Sequence, residues 1–204
     1  MQLPKDRLGQ RIARCLAGLT LFGFGISCFL TADLGVAPWD VFHQGLSKRT
    51  GIPIGIIIEI AGVFILLLWI PLRERLGMGT LLNAIQIGLV VFLIGDHLPH
   101  TDALAWRCGY VVAGLLSIAI GSGFYIGAGL GSGPRDGLML GISKHGISVR
   151  FARTAIELTI LAAGIALGGT VGIGTVAFTF GVGPLVQLFL PRMRLKGDTS
   201  EVPH

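Results

Sequence analysis

Marked simply as apolar or polar, the positions of this chain fall into long oily stretches separated by short polar ones. Six apolar stretches lie at about 12–32, 52–71, 79–98, 108–130, 150–168 and 173–190. Each approaches the roughly 20 residues that a helix needs to cross a bilayer. None alternates with the period of two that a barrel strand requires. Unpaired backbone is intolerable in lipid, which leaves helices. The pattern predicts six membrane-spanning helices.

Two short segments between them differ in character. LGVAPWDVFHQGLSK, Leu34 to Lys48, and LGSGPRDGLMLGISK, Leu130 to Lys144, share Leu, Gly, Pro, Asp, Gly, Ser and Lys in register. The likeness extends beyond them. A shift of 96 residues lays Arg11 on Arg107, Gly18 on Gly114, Gly25 on Gly121 and Phe29 on Tyr125. After a slip of one, GMGT (Gly77 to Thr80) meets GIGT (Gly172 to Thr175). The chain therefore reads as two copies of one unit, 1–103 and 104–191, followed by a tail at 192–204 expected in the cytoplasm.

The short segments, 38–49 and 134–145, each read as a helix with proline in its first turn, aspartate near its start and lysine near its end. The first would be about 18 Å long, against a hydrocarbon core of about 30 Å. That is too short to cross. Three crossings per copy turn the second copy upside down. The expected fold class is thus an all-α polytopic membrane protein: six spans in two inverted three-helix repeats, each with a half-helix after a Gly-x-x-Pro-x-Asp break.

Composition and charge agree. The chain is 52% hydrophobic and 13% charged, with mean hydropathy +0.77, where soluble domains carry about 25% charged residues. With the N-terminus inside, only Lys48, Arg49 and Arg107 of the 16 lysines and arginines fall outside. Letting both short helices span would exchange these three for Arg73, Arg75 and Arg135 without changing the bias, so length decides. The basic-then-apolar start reads as an uncleaved first helix, since no small-residue cleavage site follows. The net charge of +5 sits in inter-span segments without a basic, aromatic-interleaved stripe, which argues against nucleic acid. Cys15, Cys28 and Cys108 stand apart from one another and from histidines, which supports neither a disulfide framework nor a metal site; no cofactor is expected.

The candidate chemistry lies in the half-helices. On a helical wheel Asp40, His43, Gln44, Ser47 and Lys48 share one face of the first, while Asp136, Ser143 and Lys144 keep the polar positions of the second. Capping of free N–H groups by the aspartates accounts for this pattern; so does a polar site built on a broken helix within the membrane. Trp39 would add a stacking face and Arg135 a fixed charge, or they serve as an interfacial anchor and a topology signal. Glu59 has no charged residue within a helical turn, which in lipid marks function or a cation on another helix. Glu157 follows Arg153 by one turn, so a local ion pair competes with a transport role. Asn83 and Gln86 are interhelical glue or cavity lining. Ser132 in GLGSGP has no histidine at matching depth, and no hydrolase or metalloprotease motif occurs, so an enzyme is not expected. His97 and His100 read as part of a solvated loop.

At LGVAPWDVFHQGLSK, followed by TGIPIG and GMGTLLNAI, the chain resembles the YczE/YyaS/YitT group of bacterial integral membrane proteins, from Arg11 to Pro191. The second copy departs from that pattern with Arg135 in place of Trp39. The resemblance implies a multi-span protein of the bacterial inner membrane, and some relatives are regarded as small-molecule exporters. The functional expectation is a small secondary transporter, an exporter of an unidentified small solute coupled to protons through Glu59, with Asp40 and Asp136 shaping the site. A passive channel and a non-transporting membrane partner are the alternatives. The lipid bilayer is the expected surrounding, both termini are expected in the cytoplasm, and the small size suggests pairing into a homodimer.

Overall fold

The computed structural model describes residues 7–74 and 76–193. Among them are eight α-helices, one 3-10 turn and no strand: α1 Leu8–Ala32, α2 Pro38–Thr50, α3 Ile54–Leu72, α4 Met78–Ile94 running into a turn at Gly95–His97, α5 Leu104–Gly127, α6 Pro134–Ser143, α7 Val149–Ala166 and α8 Ile173–Met193. Beyond residue 193 the expected tail lies outside the described residues. Both short helices form where the Gly-x-x-Pro-x-Asp segments predict them. Proline opens each first turn, and α2 has 13 residues and α6 has 10, so they extend about 19 and 15 Å.

Five helices (α1, α3, α4 with its 3-10 turn, α5 and α8) are long and apolar enough to cross a membrane. The sixth expected span, α7, has 18 residues but carries Arg150, Arg153 and Glu157 and falls short of that test. The apolar side chains on the outside, Phe180, Trp106, Ile173 and Phe64 among them, have no protein neighbour to cover them. This is the surface of a multi-pass membrane protein.

The centre is the crossing of α1 and α5. Gly18 meets Gly121 and Gly25 meets Gly114, so the two helices run antiparallel. A methyl on Gly18 would stand 2.6 Å from the carbonyl of Gly121, and one on Gly25 would stand 2.7 Å from that of Gly114. Small residues let backbones approach closely where lipid supplies no hydrophobic drive. Two arginines close the ends: Arg11 donates to the Ala128 carbonyl at 2.9 Å, and Arg107 donates to that of Ala32 at 2.7 Å. Each satisfies a carbonyl left open at a helix C-terminus. The contacts are reciprocal, because each arginine, glycine and alanine of one half meets the counterpart of its partner in the other.

Reciprocity continues at the breaks. The Gly174 N–H donates to the Leu34 carbonyl at 2.7 Å, and the Gly79 N–H donates to that of Leu130 at 2.8 Å. Each Gly-x-Gly-Thr turn therefore holds the chain break of the opposite half. Gly35 and Gly131 sit there at φ +99° and +125°, a conformation that L side chains rarely adopt. α4 runs parallel to α1 and α3 opposes it, α6 lies along α3, and α2 lies along α7.

Substituting Gly18 by valine should lower stability by about 1–3 kcal/mol, because the clash is with backbone. Gly9, which has nothing within 4 Å of a built Cβ, is the control. Thermal unfolding in detergent should show a clear drop for Gly18→Val and little change for Gly9→Val.

Candidate functional site

Both half-helices begin inside the bundle. Ala37 and Gly133 hold extended backbone as N-caps, and neither helix has a side-chain cap bond. The capping role expected for the aspartates is thus not what occupies them. Asp40 is buried, and its Oδ1 faces His43 Nδ1 at 3.2 Å. The same oxygen lies 3.8 Å from a guanidinium nitrogen of Arg135, in the first turn of α6. That guanidinium also stands over the Trp39 ring, 4.9 Å from its centroid. Trp39, Asp40 and Arg135 thereby join the first turn of one half-helix to that of the other.

The physics of this arrangement is specific. A carboxylate sealed from water needs a cation or hydrogen-bond donors. Arg135 supplies the charge, stacked on an aromatic face as guanidinium groups favour, and His43 supplies a donor. With Nδ1–H donating to the Asp40 carboxylate, neutral His43 presents Nε2 as a bare acceptor. That Nε2 is buried without a completed hydrogen bond among the described residues, as are Trp39 Nε1 and the Tyr125 hydroxyl. Three such polar atoms thus lie around the two helix N-termini, inside an apolar bundle.

Other expected site residues are dispersed. Gln44 accepts from the Thr170 N–H at 2.6 Å, and Lys48 reaches the Gly168 carbonyl at 3.0 Å, so this part of the polar face anchors α2. Gln44, Ser47 and Lys48 also line a cavity of about 360 Å³ with Thr31, Asp96 and His100. Gln86 bonds the Leu16 carbonyl and the Thr20 hydroxyl, both at 2.8 Å, as glue between α4 and α1. Glu157 pairs with Arg153 at 3.0 Å. Glu59 lies against Gly88 of α4, has no hydrogen-bond or ion-pair partner among the described residues, and does not join the Asp40 cluster. Asn83 and Asp136 come together beside Gly133. No group of three or more His, Cys, Asp or Glu side chains arranged for a metal ion occurs among the described residues.

Sequence reasoning missed two residues. Trp69 donates from Nε1 to the Pro134 carbonyl at 3.0 Å, and its ring fills the notch left by Gly137. It fixes where α6 begins. A tryptophan in an apolar run carries an N–H that must find a partner when buried, which was the available signal. Tyr125 was seen only as the counterpart of Phe29, although the change from phenyl to phenol was visible.

Among known proteins, a family of unknown function (DUF6198) matches residues 9–191. An uncharacterized protein of Haemophilus influenzae is 37% identical over 180 residues, covering 88% of this chain and 83% of its own length. The uncharacterized membrane protein YczE of Bacillus subtilis is 35% identical over 194 residues, covering 92% and 89%. The uncharacterized protein YyaS of the same organism is 28% identical over 182 residues, covering 85% and 89%. No solved structure matches.

Replacing Arg135 by glutamine should cost about 1–3 kcal/mol or more by leaving Asp40 without its cation. Adding Asp40→Asn should recover much of that loss, because the two sites share one interaction. A thermal-unfolding double-mutant cycle measures the coupling; additive losses would mean that the pair contributes nothing.

Proposed function

The chain belongs to the DUF6198 family of unknown function, and from that premise we propose that this multi-pass membrane protein is a small secondary transporter of the bacterial inner membrane. The observation that carries the reading is the meeting of Trp39, Asp40 and Arg135 across the N-termini of α2 and α6. Transporters place substrate at the interface of repeated units, where broken helices turn positive dipole ends and free N–H groups into a polar cavity. The opposed directions of α1 and α5, helices that correspond in the two halves, support an inverted repeat. In that arrangement α7 is the sixth span. At about 27 Å it is long enough, and its arginines lie near its N-terminal end, where long basic side chains reach the interface.

The two half-helices then enter from opposite faces. Lys48 ends α2 beside the C-terminus of α7, and Lys144 lies just past the end of α6, paired with Glu74 at 2.5 Å. The excess of basic residues supports an orientation with both termini in the cytoplasm. Glu59 is the carboxylate we assign to proton coupling, since it lies in an apolar helix without a basic partner among the described residues.

Single cysteines at positions 48 and 144 should react with an impermeant maleimide from opposite sides of the membrane; reaction from the same side would refute the inverted arrangement. In proteoliposomes holding a pH-sensitive dye, a panel of amines, organic acids and polyols should reveal solute-dependent proton movement. Glu59→Gln should abolish that movement while the protein stays folded. Silence across the panel would overturn the transporter reading, and unchanged movement in the variant would remove Glu59 from it.

A further inference from the structure

The two halves match closely in backbone contacts, so the places where their side chains differ in polarity are informative. One difference is concentrated at the start of α6. A methyl built on Gly133 would lie 3.1 Å from the Tyr125 hydroxyl, 3.3 Å from Asp136 Oδ2 and 3.5 Å from Asn83 Nδ2. Three polar groups from α5, α6 and α4 thus converge on a point that no side chain fills. Tyr125 is 3% exposed, and its hydroxyl faces the Asn83 carboxamide without completing a well-formed hydrogen bond among the described residues. Asp136 is exposed, hence reachable, and has neither hydrogen-bond nor ion-pair partner among the described residues.

The other half closes the same place. Tyr125 corresponds to Phe29, Asn83 to Phe178 and Gly133 to Ala37. Phe29 and Phe178 pack edge to face with centroids 5.8 Å apart, and Asp40, the counterpart of Asp136, is engaged by His43 and Arg135. Folding therefore does not require polar groups there. Three substitutions in one half, from three separate segments, replace an apolar plug by a phenol, a carboxamide and a glycine.

Charge and hydrogen-bond capacity decide what fits. The groups that act on one another here are Arg135 and Arg153 against Asp40, Asp136 and Glu157, two cations against three carboxylates. Asp40 and Glu157 each have a guanidinium at hand; Asp136 is the carboxylate left over. The carboxylate and the phenol oxygen are acceptors. The carboxamide, which turns Nδ2 toward the notch, presents its acceptor oxygen there after a half-turn of its terminal bond. Together they suit a group with several N–H donors and one positive charge. We propose that Asn83, Tyr125, Asp136 and the notch at Gly133 form a binding site for a protonated primary amine. The inference deepens the transporter reading by naming its substrate class; it rests on that reading for the role of the site, though not for binding.

A primary ammonium is carried by free solutes and by the ethanolamine headgroup of phospholipid, so the test needs two arms. Detergent-purified protein is titrated with ethylammonium chloride, followed by thermal unfolding, with sodium chloride, sodium acetate and ethylene glycol as controls. The same unfolding is measured in phosphatidylcholine nanodiscs with and without phosphatidylethanolamine. Stabilisation by ethylammonium alone is expected for a free amine, and stabilisation by phosphatidylethanolamine is expected for a headgroup. Asp136→Asn should weaken binding about tenfold or more, the scale of a hydrogen bond to a charged group. Tyr125→Phe and Gly133→Ala, which restore the residue types of the other half and should fold, are expected to weaken it as well. Equal stabilisation by acetate or glycol, no effect in either arm, or retention of binding in all three variants overturns the proposal. Amine binding without flux would fault the transporter reading and leave the site standing; flux of another solute without amine binding would do the reverse.

Discussion

The structure depends on the close approach of α1 and α5. In lipid, apolar side chains gain little by leaving their surroundings, so helices associate through packing and satisfied polar groups. Paired glycines bring the backbones together, and Arg11 and Arg107 each take up a carbonyl at the far end of the partner helix. A long cation buried in a bundle demands acceptors, and a helix end buried there demands donors. One contact answers both needs, twice. Everything else is placed from this crossing: α4 and α8 pack beside it, and the breaks that begin α2 and α6 follow from where α1 and α5 stop.

Much of this was legible in the residues. Apolar runs placed the long helices within a few positions, because a span is set by length and by the absence of charge. The breaks were legible because Gly-x-x-Pro-x-Asp encodes a turn, a helix start and a charge in six residues. The likeness of the two halves could be read from the sequence because the order and spacing of matching residues survive over a full unit. Polarity made α7 ambiguous: Arg150, Arg153 and Glu157 in 18 residues do not resemble the other spans.

The site was legible only in part. Trp39, Asp40 and Arg135 were named separately, but nothing local says that residues 95 apart in sequence will touch. Asp40 looked like a cap because its position in the first turn allows it, yet the structure turns its carboxylate to His43 and Arg135. Gln44 and Gln86 share the composition of cavity residues, and both serve as fasteners between elements. What decides between these fates is which neighbour arrives, a tertiary fact. Tyr125 shows where more could have been read, since one added oxygen separates it from its counterpart Phe29.

The exchange of turns between halves has a consequence for synthesis. The segment at Leu34 and Gly35 is held by Gly172, Gly174 and Thr175, residues that leave the ribosome more than a hundred positions later. Contacts so distant along the chain form late and at the entropic expense of closing a long loop. Until α8 is made, the backbone of the first break lacks the partner that covers it in the finished fold. Thr80 and its glycines, by contrast, are already in place when residue 130 emerges. The order of manufacture thus breaks a symmetry that the finished molecule largely keeps.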